Sequence, residues 1–268
     1  MDKKIGFIGC GNMGRAMIGG IVNSNLVKPE NVIVADGYQG SLDIAKKEYG
    51  VLTTMDNTEV AKTSDIIVLS VKPNIYDIVI SDIKAHVKDD VVIVIIAAGK
   101  SVKSIEEAFE KDIKVVRTMP NTPALVGEGM ACICPNPKLS KDDMDAVVSL
   151  FESFGKVELV DEKLMDVVTS TSGSSPAYVF MFIEAMADAA VLDGMPRNKA
   201  YNIAAQAVLG SAKMVLETGK HPGELKDMVC SPAGTTIEAV ASLEEDGFRS
   251  SVIKAMRKCT EKSKKMSK

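Results

Sequence analysis

The stretch Lys4-Ile5-Gly6-Phe7-Ile8-Gly9-Cys10-Gly11-Asn12-Met13-Gly14 decides the fold. A short apolar run leads straight into G-x-G-x-x-G, and a helical segment follows Gly11. In such a loop the first glycine makes the tight turn and the second lets a pyrophosphate approach the backbone. The third lets helix and strand pack closely. The helix N-terminus then offers free N–H groups and partial positive charge to phosphate. A glycine-rich turn alone is a weak signal. Here a second strand, Val32–Ala35, and the acidic Asp36 at its end complete the dinucleotide pattern. Gly9, Cys10, Gly11, Asn12, Met13 and Gly14 are therefore candidate cofactor contacts. Asp36 is placed to accept from a ribose 2′-hydroxyl, which favours NADH; it reads equally well as a loop carboxylate starting a turn with Gly37. No arginine follows to clamp a 2′-phosphate, although Ser41, Lys46 and Lys47 could approach one, so NADPH and NADH both stay open.

Outward from this loop, β-branched runs alternate with amphipathic segments. The runs are Ile5–Ile8, Val32–Ala35, Ile66–Ser70, Val91–Ala97, Val115–Thr118 and Ala131–Cys134. Several are continuously apolar, as buried parallel strands are. Helices are expected after Gly11, from near Ser41 to Gly50, and from Ser101 or Ser104. After Val160 strand-like runs vanish. Helices are expected from about Pro176 to Leu192, from Asn198 to Glu217, and over 223–229, 235–243 and 247–262. The chain thus reads as α/β: a mostly parallel N-terminal domain over 1–160 and an all-helical one over 161–268.

Composition narrows the chemistry. The 268 residues carry a formal net charge of −4 and include two histidines, five cysteines and no tryptophan. No basic footprint points to nucleic acid. Multi-histidine metal sites and Ser-His-Asp hydrolysis lack raw material, and neither His86 nor His221 has metal-ligand spacing, so no metal is expected. Five cysteines cannot all pair, and reduced thiols fit a cytoplasmic protein better. The longest apolar run, Val91 to Ala98, spans eight residues, and a membrane helix needs about 20. No membrane partner is expected.

Val71-Lys72-Pro73 and Ala97-Ala98-Gly99 end two strands, where open α/β sheets bind ligands. Lys72 reads equally as a surface lysine. The small residues from Ala97 to Gly99 leave room for a flat nicotinamide, though loop sterics alone also explain them. Three further stretches stand out: Arg117-Thr118-Met119-Pro120-Asn121-Thr122-Pro123, Ser172-Gly173-Ser174-Ser175-Pro176-Ala177-Tyr178 and Ser231-Pro232-Ala233-Gly234-Thr235-Thr236. The last opens a helix, so its amides and hydroxyls could hold a carboxylate; ordinary Ser or Thr capping would use the same residues.

VKP, MPNTPA, SGSSPAY and above all HPGELKDMVCSPAGTTIEA resemble the pyrroline-5-carboxylate reductases over essentially the whole length. The resemblance implies a Rossmann domain followed by a helical dimerisation domain. It also implies a homodimer through the C-terminal helices, with rings of dimers as a further assembly. The implied reaction is reduction of 1-pyrroline-5-carboxylate to L-proline by NADPH or NADH, the last step of proline biosynthesis. Matched by position, the glycine loop, Asn57, Val71, Lys72, Pro73, Ala97, Ala98 and Gly99 become dinucleotide contacts. Ser231, Gly234, Thr235 and Thr236 become the substrate-carboxylate loop, with the Thr236 hydroxyl beside the imine nitrogen as the catalytic group. Glu162 matches a carboxylate near the ligand. Ser175, Ala233 and Met228 depart from the family pattern, where glycine, glycine and, in some members, asparagine are expected.

Two rival readings are weighed against this one. A 3-hydroxyacid or 6-phosphogluconate dehydrogenase would begin similarly but needs a lysine in a glycine-containing helix, and Lys199 and Lys213 lie outside any such motif. A dinucleotide-sensing regulator would carry a degraded substrate loop, whereas Ser231–Thr236 is intact.

Overall fold

Runs of β-branched side chains become the centre of one sheet in the computed structural model, which describes residues 1–266. In chain order the elements are β1 (Ile5–Ile8), α1 (Asn12–Asn23), β2 (Val32–Ala35), α2 (Gln39–Tyr49), β3 (Leu52–Thr54), α3 (Asn57–Thr63), β4 (Ile66–Leu69), α4 (Tyr76–Ile83), β5 (Val92–Ile95), α5 (Val102–Phe109), β6 (Lys114–Met119), β7 (Gly129–Pro135), α6 (Lys141–Glu152), β8 (Gly155–Leu159) and α7 (Met165–Val168). The sheet order is β3-β2-β1-β4-β5-β6-β7-β8. Pairing is parallel except between β6 and β7. Strand order reverses across β1 and β4, and at such a switch point the carboxyl ends of the strands open a crevice.

Successive side chains alternate between two cores, as the pleat requires. Ile5, Phe7, Val32, Val34, Val92 and Val94 face α1 and α6, meeting Met17, Ile18, Leu150 and Phe151. Ile67, Leu69, Ile93 and Ile95 face α4 and α5, meeting Tyr76, Ile80, Ile105 and Phe109. Each such side chain contributes about 1.5–3 kcal/mol by leaving water. Continuous apolar strands are what two covered faces demand. β3 and β8 escape the sequence reading because they are partly exposed edge strands without an apolar run.

The chain falls into two compact units, Met1–Ser174 with the segment from Cys259, and Ser175–Lys258. The sequence divides at 160/161 by texture, where strands give way to helices. The compact first unit runs further because Met165 and Val168 of α7 pack on Met119, Cys132 and Cys134. Thr260 donates to Ser170 at 2.8 Å and Ser263 to Asp166 at 2.6 Å, which brings the C-terminal turns into this unit. All five cysteines are free thiols.

The second unit holds α8 (Ser175–Leu192), α9 (Arg197–Thr218), α10 (Pro222–Val229), α11 (Thr235–Glu245) and the first turns of α12 (Phe248–Met266). Its helices follow the expected spans within a few residues. Ala187, Ala200 and Ala204 are its buried alanines, where α8 and α9 pack together. Phe180, Met181, Leu192, Ile203, Leu209 and Leu216 stay largely exposed. By length and composition alone the helical stretch Glu162–Leu192 could cross a membrane, and little of it is buried. The sequence reading overlooked it because no uninterrupted apolar run marks it.

Candidate active site

The glycine loop follows β1 directly. Gly9 adopts φ +104°, a left-handed conformation open to glycine. A Cβ there would lie 2.6 Å from the Ser70 carbonyl oxygen. A Cβ on Gly14 would lie 2.5 Å from the Gly9 oxygen, whereas one on Gly11 would meet nothing within 4 Å. The outer glycines are thus fixed by close packing, and the middle one faces open space. Gly11 is the N-cap of α1 with no side-chain cap and no acidic residue in the first turn. Open space beside uncapped amides is the arrangement a pyrophosphate requires, so these residues fit a dinucleotide. Ser70 braces the loop from β4: its hydroxyl donates to the Gly9 oxygen at 2.6 Å, and its amide to Ile8 at 2.8 Å.

Asp36 both begins a turn and faces the glycine loop. Its Oδ1 accepts from the Tyr38 amide at 2.8 Å and its Oδ2 from the Cys10 amide at 2.6 Å. The turn reading of this residue therefore holds, and the same carboxylate also braces the glycine loop. Burial, and next the Asp36 charge, push the Cys10 thiol up to about 11.

Val71-Lys72-Pro73 leaves β4, with Lys72 exposed and Pro73 opening a 3-10 turn. Ala97-Ala98-Gly99 leaves β5, with Ala97 buried. Asn57 begins α3 after β3 and donates from Nδ2 to Asp82 at 3.1 Å. The cofactor candidates thus all stand at carboxyl ends of parallel strands.

Two of the unusual stretches meet inside the first unit. Arg117 to Met119 complete β6, and the loop starts only at Pro120. Asn121 donates from Nδ2 to the Ser172 carbonyl at 3.2 Å and accepts from the Met130 amide at 2.9 Å. Glu162 is engaged within the protein: its Oε1 accepts from the Val102 amide at 2.8 Å and from Arg117 Nη1 at 3.0 Å. Arg117 is buried, and its Nε and Nη2 have no hydrogen-bond partner among the described residues. Sequence reading did not single out Ser70, whose one signal is a hydroxyl closing an apolar strand.

In the second unit, Gly234 is the N-cap of α11, and no side chain caps that helix. Simple capping by Ser231, Thr235 or Thr236 therefore does not occur. A Cβ on Gly234 would lie 2.3 Å from the Ser231 hydroxyl oxygen, so a side chain there would displace that hydroxyl. The Gly234 amide donates to the Ser231 carbonyl at 3.1 Å. Ala233, a departure noted above, takes φ +53°, strained for a side-chain-bearing residue. His221 caps α10, its Nδ1 accepting from the Gly223 amide at 3.0 Å. Met228 is exposed.

Comparison with known proteins gives one answer. The family described as "Pyrroline-5-carboxylate reductase dimerisation" matches residues 162–266, and "NADP oxidoreductase coenzyme F420-dependent" matches 4–99. The pyrroline-5-carboxylate reductase of Escherichia coli K12 is 53% identical over 100% of both chains. That of Methanosarcina acetivorans is 44% identical over 100% of this chain and 99% of its own. A crystal structure of the Plasmodium falciparum pyrroline carboxylate reductase with NADP bound is 36% identical, covers 99% of this chain and 98% of its own, and superposes with TM-score 0.91. With its glycine loop and its uncapped α11 turn both intact, the chain belongs to the pyrroline-5-carboxylate reductase family.

Proposed function

We propose that two uncapped helix N-termini divide the work of reducing 1-pyrroline-5-carboxylate to L-proline. The α1 terminus receives the pyrophosphate of NADPH or NADH, with Asn57, Val71–Pro73 and Ala97–Gly99 contacting the rest of the dinucleotide. The Asp36 charge favours NADH. Bound there, the cofactor supplies a hydride to the imine carbon, and the C=N electron pair passes to nitrogen. The α11 amides, with Ser231, Gly234 and Thr235, hold the substrate carboxylate. Thr236 hydrogen-bonds the ring nitrogen as the catalytic residue. A cyclic imine can arrive already protonated, so orientation and electrostatics suffice without a strong general acid.

The observation that carries this reading is the α11 N-terminus without a side-chain cap. The exposed apolar side chains of α8 and α9 are covered, in this reading, by a second copy in a homodimer that assembles further into rings. That accounts for the apolar Glu162–Leu192 stretch without a membrane, in a cytoplasmic enzyme. The test follows nicotinamide absorbance with pyrroline-5-carboxylate, comparing NADH with NADPH; oxidation of neither by folded protein overturns the reading. Thr236→Ala is expected to lower kcat about tenfold or more while cofactor affinity stays within about twofold. Unchanged turnover would remove Thr236 from the chemistry.

A further inference from the structure

Tyr76 lies outside every motif, yet its hydroxyl sits between two of the cofactor segments. The residue opens α4 immediately after Val71-Lys72-Pro73 and the 3-10 turn, and its side chain is fully buried. β4 and β5 pair in register up to Leu69 opposite Ile95, and there they part. Beyond that point Ser70 continues the ladder to β1, its amide donating to the Ile8 carbonyl. The Tyr76 hydroxyl fills the gap. It donates to the Leu69 carbonyl at 2.5 Å and accepts from the Ile96 amide at 3.2 Å. Each of those groups lies just before a proposed cofactor segment: Leu69 two residues ahead of Val71–Pro73, and Ile96 immediately ahead of Ala97–Gly99.

The same helix start grips the β5 loop again. Lys100 Nζ stands 5.9 Å from the centre of the Tyr76 ring and pairs with Asp77 at 2.8 Å. One turn of α4 therefore touches the loop on both sides of Ala97–Gly99. We propose that Tyr76 is a positioning residue: its hydroxyl sets the spacing between the two strand ends that flank the nicotinamide half of the cofactor. This inference rests on the reading of those segments as cofactor contacts. Without the hydroxyl, Ile96 N–H and Leu69 C=O would be buried without that partner, and the two loops would settle at another separation.

Tyr76→Phe keeps the ring in the core and removes the hydroxyl alone. The expected result is a rise of about fivefold or more in cofactor KM and in NADPH Kd, read by the fluorescence of the nicotinamide. KM for pyrroline-5-carboxylate should stay within about twofold. A lowered unfolding midpoint with unchanged cofactor Kd would make the hydroxyl merely structural and overturn the proposal. If the variant fails to fold, amide exchange on the native enzyme decides: the Ile96 amide should be protected and slow further with NADP⁺. Exchange at the rate of an exposed loop, or no response to NADP⁺, overturns the proposal. Native enzyme that neither binds nor oxidises NADPH would overturn the function reading along with it. Native binding with an indifferent variant overturns only the role of Tyr76.

Discussion

α1 and α11 begin alike and are supported differently. Both have a glycine N-cap with no side-chain cap; the α1 cap, Gly11, faces open space between the tightly packed Gly9 and Gly14, whereas the α11 cap, Gly234, lies against Ser231. The α1 turn stands on a buried strand and is pinned by Ser70 from the neighbouring one. The α11 turn stands among helices that leave large apolar side chains in solvent, and it carries a non-glycine residue at positive φ. The proposed phosphate cradle is thus braced within one chain's core. The proposed carboxylate cradle lacks such bracing, which is a physical reason for the exposed apolar face of its unit to take the second copy proposed above.

The sharpest way to break this comparison is Gly14→Ala, which forces a Cβ to within 2.5 Å of the Gly9 oxygen. Cofactor Kd should rise on the order of 100-fold, measured by NADPH titration. An unaffected Kd would show that the α1 cradle is no more rigid than that of α11. Next, Phe180→Glu places a charge on the exposed apolar face of α8. If the proposed dimer forms through this face, light scattering should then report monomers, with loss of activity and retention of NADPH binding. Monomers of full activity would contradict the difference drawn here.

A third prediction concerns the far end of the first unit. Asp143 accepts from Lys114 at 2.8 Å and from the Ser140 hydroxyl at 2.7 Å. Burial raises its pKa, but these bonds outweigh that and hold the carboxyl down at about 2. A depressed carboxylate stabilises the fold above its unfolded pKa of about 3.9, and that contribution is lost as pH falls toward the folded value. Asp143→Asn should cost about 2 kcal/mol near neutral pH in urea titrations, with the gap to the native protein closing between about pH 4 and pH 2. The smallest effect is expected from Ala233→Gly. Relieving φ +53° should stabilise the chain by about 0.5–1 kcal/mol and tighten the α11 turn, seen as a higher unfolding midpoint.

The sequence was most readable where one physical demand acted on each residue. β1, β2, β4 and β5 show as apolar runs because both faces of the sheet are covered. β3 and β8 do not, because edge strands such as Leu52–Thr54 satisfy solvent on one side. The glycine loop was legible residue by residue, since φ and close contact leave no other choice at Gly9 and Gly14. Asp36 is readable only as two alternatives, of which the structure displays the turn, with an added bond to the Cys10 amide 26 residues away. Glu162 was placed near the ligand by resemblance; its ties to Arg117 and the Val102 amide depend on residues 45 and 60 positions away, which no local pattern encodes. Tyr76 was invisible for the same reason: in sequence it is an apolar residue at a helix start.

Cys10 sits in the glycine loop, proposed above to receive the phosphates, where an ionised thiol would invite damage. Its thiol is held at about 11 by burial and by Asp36, so at physiological pH it stays overwhelmingly protonated. Peroxides and alkylating agents attack the thiolate form. Burial, and next the Asp36 carboxylate, therefore keep the glycine-loop thiol protonated and slow to react with peroxide.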